Sequence, residues 1–168
     1  MMRRFLPDRR GTATVEFALW ATLVLAVLVP CLDFAAYVMA GTSMSAAIDQ
    51  ASVLAYNQRN SDTINTSQLS SYVTASVWAP GNTPTTSIIC NGGLQSCGVS
   101  VANRQCTCVT GLTPVFSAAA SCGATCPSGA TAGYYLTVRT QMTYKPFLVP
   151  DAWLSGGTLA RAVTVRLQ

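Results

Sequence analysis

The sequence predicts an α+β protein: a long N-terminal transmembrane helix that extends into a small periplasmic domain with an antiparallel β-sheet, stapled by disulfides. Three observations predict it. Phe17 to Ala40 is an apolar run interrupted only by Thr22 and Asp33 among clearly polar side chains. Tyr134 to Tyr144 alternates with the period of two that marks a half-buried strand. Six cysteines crowd into the stretch from Cys90 to Cys126. The expected boundaries are a cytoplasmic leader over 1–11, a transmembrane helix over 12–40, a periplasmic extension of that helix over 41–56, and an α+β head over 57–168.

At 1.5 Å per residue, Phe17 to Ala40 spans about 36 Å, enough to cross the hydrocarbon core of a bilayer. Pro30 is compatible with such a span, because helix partners or a local distortion can satisfy the carbonyl it frees. Arg3, Arg4, Arg9 and Arg10 precede the run, against Asp8 alone, and account for most of the net charge of +4. The positive-inside rule therefore puts the N-terminus in the cytoplasm and the bulk of the chain in the periplasm, as a single-pass protein of the inner membrane. The competing readings are an anchor that is never cut and a secretory signal cut after Ala40. The run is far longer than a signal h-region of about 7–15 residues, and it contains Asp33.

The most specific segment is Arg9-Arg10-Gly11-Thr12-Ala13-Thr14-Val15-Glu16-Phe17. A basic leader ends in Gly11, a carboxylate follows at the threshold of the apolar helix, and an aromatic residue follows that. The pattern resembles a prepilin peptidase site, Gly then four residues then Glu and an aromatic. The resemblance implies a cut between Gly11 and Thr12 and an assembly role for Glu16, next to Phe17. The physics agrees. A charge in hydrocarbon costs about 2.5–3.5 kcal/mol at the helix centre, less near the interface, so Glu16 needs a partner or water. Cleavage creates an α-amine with a pKa near about 8, and the amine of one subunit could meet Glu16 of the next. Thr12 departs from the N-methylated Phe that begins many type IV pilins, which leaves methylation open. Asp33, the second acid of the run, reads either as an assembly contact with a partner helix or as an acid snorkelling near the periplasmic face. Cys31 reads as packing, since a thiol in apolar surroundings is inert.

Beyond the membrane, Met44, Ala47, Ile48, Ala51, Leu54 and Ala55 recur at spacings of three and four and predict a helical stripe against the head. Small residues along the segment permit close approach. Ser67 to Trp78 predicts a second helix, capped by Thr66 or Ser67, with Leu69, Val73 and Val77 on one face and Pro80-Gly81-Asn82 ending it. Strands are expected at Thr85–Cys90, Gly98–Val109, Tyr134–Tyr144 and Leu159–Leu167, in an antiparallel sheet of about four strands packed on the helix. In the third, Tyr134, Leu136, Val138, Met142 and Tyr144 face inward. In the last, Arg161 interrupts the apolar face and requires an edge.

The cysteines beyond the membrane run predict disulfides in an oxidising compartment. Cys106 and Cys108 project from one face of a strand and so seldom bond each other. The preferred pairing sets Cys90 with Cys97, and Cys106 and Cys108 with Cys122 and Cys126, the assignment within the second set staying open. Gaps of one and three residues fit a zinc site poorly, and there is no Cys-x-x-Cys for redox catalysis. The chain has no histidine, which removes His-dependent triads and His-containing zinc sites. Outside the leader the charges nearly balance, so basicity gives no nucleic-acid signal. No catalytic residue, metal, cofactor or small-molecule substrate is expected.

The order of features is similar to the TadE-like pseudopilin family. It runs leader, Gly11–Glu16–Phe17, long helix, Cys-x-Cys, a later cysteine pair, then Tyr134-Tyr135-Leu136-Thr137-Val138 running into Tyr144-Lys145-Pro146-Phe147 and a final strand. The resemblance is densest over 9–56 and 134–149. It implies a pilin-like fold and a non-enzymatic minor pseudopilin of a Tad-type (type IVb) pilus, acting in pilus assembly and adhesion. The implied partners are the prepilin peptidase, other pilins and pseudopilins, and the assembly platform. The alternative is a membrane-anchored periplasmic binding or structural module unconnected with pili.

Overall fold

A computed structural model describes residues 10–79, 81–111, 113–146, 150 and 157–168. The expected leader, up to Arg9, lies outside the described residues, as do Pro80 and Phe147.

One helix, α1, runs from Arg10 to Asn57 with Pro30 inside it. At 1.5 Å per residue it is about 72 Å long. Its hydroxyls bond back to the helix itself: Thr14 Oγ1 to the Gly11 carbonyl at 2.8 Å, Thr22 Oγ1 to Ala18, Ser43 Oγ to Ala40 and Ser45 Oγ to Gly41. These bonds satisfy the hydroxyl donors they involve, which suits an apolar surround. Gly41 is interior to the unbroken helix, facing Leu159 and Arg161. A cut after Ala40 would therefore divide a packed element.

The two halves of α1 differ sharply. From Gly11 to Leu32 every residue is exposed or half-buried. From Asp33 onward a stripe is covered: Asp33, Ala40, Met44, Ala47, Ile48, Ala51 and Ala55 are buried. Leu54, expected in this stripe, is 38% exposed. The face follows 44, 47, 48, 51 and 55, and Leu54 sits one position off it. The repeated alanines let the sheet approach the helix axis closely, which a stripe of leucines would prevent.

The second helix, α2, spans Thr66–Ser76 and buries Leu69 and Val73, with Val77 buried just beyond. Its cap is Asn65, not Thr66 or Ser67. The Asn65 side chain accepts from Gln68 N at 3.0 Å and from the Ser67 hydroxyl at 2.8 Å. Asparagine is among the best N-cap residues, and its carbonyl reaches the third residue on.

Among the described residues five strands follow: β1 Thr85–Cys90, β2 Thr107–Thr110, β3 Val115–Ala118, β4 Tyr135–Thr143 and β5 Thr158–Arg166. They form an antiparallel sheet in the order β1-β4-β5 and a separate β2-β3 hairpin. The single sheet of about four strands is thus corrected to three plus two. The expected strand from Gly98 is also corrected, since only Thr107–Thr110 is extended and Val101–Asn103 forms a 3₁₀ turn. The chain there is held by the Cys90–Cys97 bridge and by Arg104, which is buried against the loop after α1, so it follows its tethers and not a ladder.

β4 carries the inner face as expected: Leu136, Val138 and Met142 are buried, with Tyr134 and Tyr144 at its two ends. Thr140 is fully buried on the same face, and its hydroxyl lies 3.1 Å from that of Thr86 on β1. β5 is an edge strand, which accommodates the exposed Arg161. The core lies between α1, α2 and this sheet.

Candidate functional site: an exposed helix with two acids and a stapled head

Gly11, Thr12, Glu16 and Phe17 occupy the first turns of α1, and all four are exposed. A Cβ added at Gly11 would meet nothing within 4 Å. Packing therefore does not require glycine there, while glycine inside a helix costs about 1 kcal/mol relative to alanine. Phe17 is 75% exposed, a large aromatic surface with no cover from its own chain. Trp20, Leu23 and Leu25 continue that surface.

Asp33 stands in a different environment. It is 4% exposed, beneath the end of β4. The Tyr144 hydroxyl donates to the Asp33 carbonyl at 3.2 Å, and the Tyr37 ring stacks edge-on against Tyr144 at 5.5 Å. Burial raises the Tyr144 pKa above its ordinary value, and the Asp33 charge raises it further. Asp33 is thus enclosed by its own head. It lies 17 residues beyond Glu16, about 26 Å along the helix, so the two acids do not form one site.

The cysteines lie in three bridges: Cys90–Cys97, Cys106–Cys122 and Cys108–Cys126. The second and third run in parallel from the two sides of Thr107 and tie the 119–133 loop to the hairpin. Their sulfurs are neither thiolate nucleophiles nor metal ligands. Cys31 is the free cysteine, exposed on α1. Among the described residues no group of three His, Cys, Asp or Glu could hold a metal ion.

Two anchors of the head were not singled out from the sequence. Asn91 is 1% exposed at a φ of 48°. Its carbonyl accepts from Tyr135 N at 2.9 Å and from the Thr107 hydroxyl at 3.2 Å, and its amide donates to the Gln105 carbonyl at 2.6 Å. It joins β1, β2 and β4. Arg104 is 7% exposed; its guanidinium donates to the carbonyls of Arg59 and Ser61 and lies 5.1 Å from the Tyr134 ring centroid. It pins the end of α1 to the hairpin. The signals were present: Asn91 precedes two glycines at a strand end, and Arg104 is the sole charge between Asp62 and Arg139.

Residues 11–52 match the family model of TadE-like protein. The match runs from Gly11 through the exposed half of α1 and into the half that the head covers. It suggests a Tad pilus-related protein of the structural kind, and the one helix among the described residues that is long and apolar enough to cross a membrane suggests single-pass anchoring. No curated protein and no solved structure matches the chain.

Proposed function

We propose that this chain, TadE-like over residues 11–52, is a minor pseudopilin of a Tad-type (type IVb) pilus that acts in pilus assembly and adhesion. The observation that carries the proposal is a helix exposed over most of its surface from Gly11 to Leu32, with an acid near its start, joined to a disulfide-stapled head. Such a helix is completed by lipid first and by neighbouring helices later. The chain is inserted in the inner membrane with its leader in the cytoplasm and its head in the periplasm. A prepilin peptidase cuts between Gly11 and Thr12. Glycine suits the cut because it weakens the first helical turn, and a peptidase needs its substrate extended.

The cut exposes an α-amine on Thr12, largely protonated at neutral pH. Thr12 and Glu16 are four residues apart, so a neighbour shifted by about 6 Å along the axis brings its amine level with this Glu16. That pairing sets axial register, the best-attested use of a buried ion pair. The new helix N-terminus favours a carboxylate in its first turns as well. Phe17 supplies apolar contact beside the pair. Asp33 acts within the subunit, holding the head to the helix at a fixed height. The head presents its outer surface to other pilins, pseudopilins and the assembly platform, and performs no chemistry itself.

Gly11→Trp tests the processing step, and the space around Gly11 means that the head is left undisturbed. The variant should persist at full length and migrate more slowly than the wild type in cells that carry the peptidase. Equal mobility of the two removes processing from the account.

A further inference from the structure

The head meets α1 at Asp33, well before the Ala40 boundary expected from hydropathy. From Gly11 to Leu32 the bare helix measures about 33 Å, close to the roughly 30 Å of a hydrocarbon core. Beside Asp33 lies a cavity of about 620 Å³, lined by Val29, Leu32 and Ala36 of α1 and by Trp78, Tyr144 and Lys145 of the head. Gly81 and Asn82 also reach it. These last residues belong to irregular backbone outside any helix or strand. Lipid-exposed irregular backbone does not occur within hydrocarbon, because its N–H and C=O groups would lack partners. If the bilayer reached Ala40, this loop and Lys145 would be submerged.

We propose that the head sits directly on the bilayer, with the hydrocarbon boundary at Leu32–Phe34, and that the cavity beside Asp33 holds a phospholipid of the head-side leaflet. Val29, Leu32, Ala36 and Trp78 contact its upper acyl chain, and Lys145 meets its phosphate. Trp78 is 44% exposed, and a partly exposed tryptophan beside a tyrosine and a lysine has the composition of an interfacial belt. The cavity is continuous with the bare face of α1 through Val29 and Leu32, so an acyl chain lying along the helix enters it without leaving hydrocarbon. Asp33 lines the same cavity but is buried, so the phosphate is recognised by Lys145. This proposal rests on the membrane anchoring above.

The test uses the full chain in vesicles of phosphatidylcholine and phosphatidylglycerol, with a nitroxide on Cys31, the free thiol. Flotation first establishes insertion. Power saturation with oxygen and a nickel chelate then reports depth. The label should lie within about 3 Å of the hydrocarbon boundary. A label about 14 Å deep, the distance from Cys31 to Ala40, overturns the seating while leaving the anchoring intact. A chain that does not float with the vesicles overturns the anchoring, and this proposal with it. Spin-labelled phosphatidylglycerol should associate with the wild type more than phosphatidylcholine, and Lys145→Gln should lower that preference by up to about five-fold, the contribution of one lysine near the surface, while the leader arginines keep theirs. A preference that Lys145→Gln leaves unchanged overturns the phosphate site.

Discussion

Asn91→Ala is the substitution that tests the head most stringently, because one small side chain there joins three segments. Truncation leaves the Tyr135 N–H and the Gln105 carbonyl without their partner; Tyr135 is half-buried, whereas Gln105 is exposed and its carbonyl can turn to water. Each stranded buried group costs about 1–3 kcal/mol. The Thr107 hydroxyl can rotate and is left out of the sum. Asn91 also sits at a φ of 48°, where a residue with a Cβ and no local side-chain bond loses about 1 kcal/mol more. With one such group counted, the expected loss is about 2–4 kcal/mol, against a total of about 5–15 kcal/mol for an ordinary domain. Asn91→Gly keeps the stranded groups and relieves the backbone, so it should be less destabilised than the alanine variant by about 1 kcal/mol. The assay is urea unfolding of the full chain in detergent micelles, followed by near-UV circular dichroism with the bridges intact. An alanine variant within about 1 kcal/mol of wild type at unchanged slope would refute the hub. Equal stability of the two variants would refute the backbone term.

Two further expectations follow from the head. Gly92 has a φ of 65°, and a Cβ there would lie 2.6 Å from Phe116 Cγ. Gly92→Ala should lose at least about 2 kcal/mol by the same assay, whereas Gly81→Ala, with open space around it, should lose only the backbone term of about 1 kcal/mol. Tyr134 and Tyr144 both have raised pKa values, chiefly through burial; Arg104 pulls Tyr134 part of the way back, and Asp33 pushes Tyr144 further up. A raised folded pKa means that their contribution to stability is complete below the unfolded value of about 10 and declines as pH rises through the folded values. Ultraviolet titration should show two tyrosines ionising above the ordinary tyrosine range, and their contribution to stability should fall on the alkaline side. All six tyrosines titrating together would contradict the burial of these two.

Much of this architecture was legible because it is written in periodicity and spacing. The period-two pattern of Tyr134–Tyr144 could be satisfied only by a half-buried strand, and β4 carries its faces as that pattern requires. Leu69, Val73 and Val77 placed one face of α2 in the same way. The errors fall where long-range contacts override local pattern. Gly98–Val109 has β-forming residues, but a bridge at Cys97 and the reach of Arg104 to Arg59 and Ser61 keep most of it out of a ladder. Leu54 is apolar and near the stripe, yet which residue of an apolar pair faces inward depends on the partner surface. Hydropathy likewise cannot say where a head begins to cover an apolar helix. Asp33 is the example, an acid inside an apolar run that the fold encloses with Tyr144 from far along the chain. At Gly11 and Glu16 the sequence pattern carries more than the monomer does, since their proposed partners belong to other molecules.

The measurement that bears most directly on the pilus assignment is the intact mass of the protein purified from cells that make the pilus, for the wild type and for Glu16→Ala. The account predicts a chain that begins at Thr12 in both, with pili lost only in the variant, because Glu16 acts after the cut. A wild-type chain that keeps its arginine leader, or normal pili made with Glu16→Ala, would contradict it.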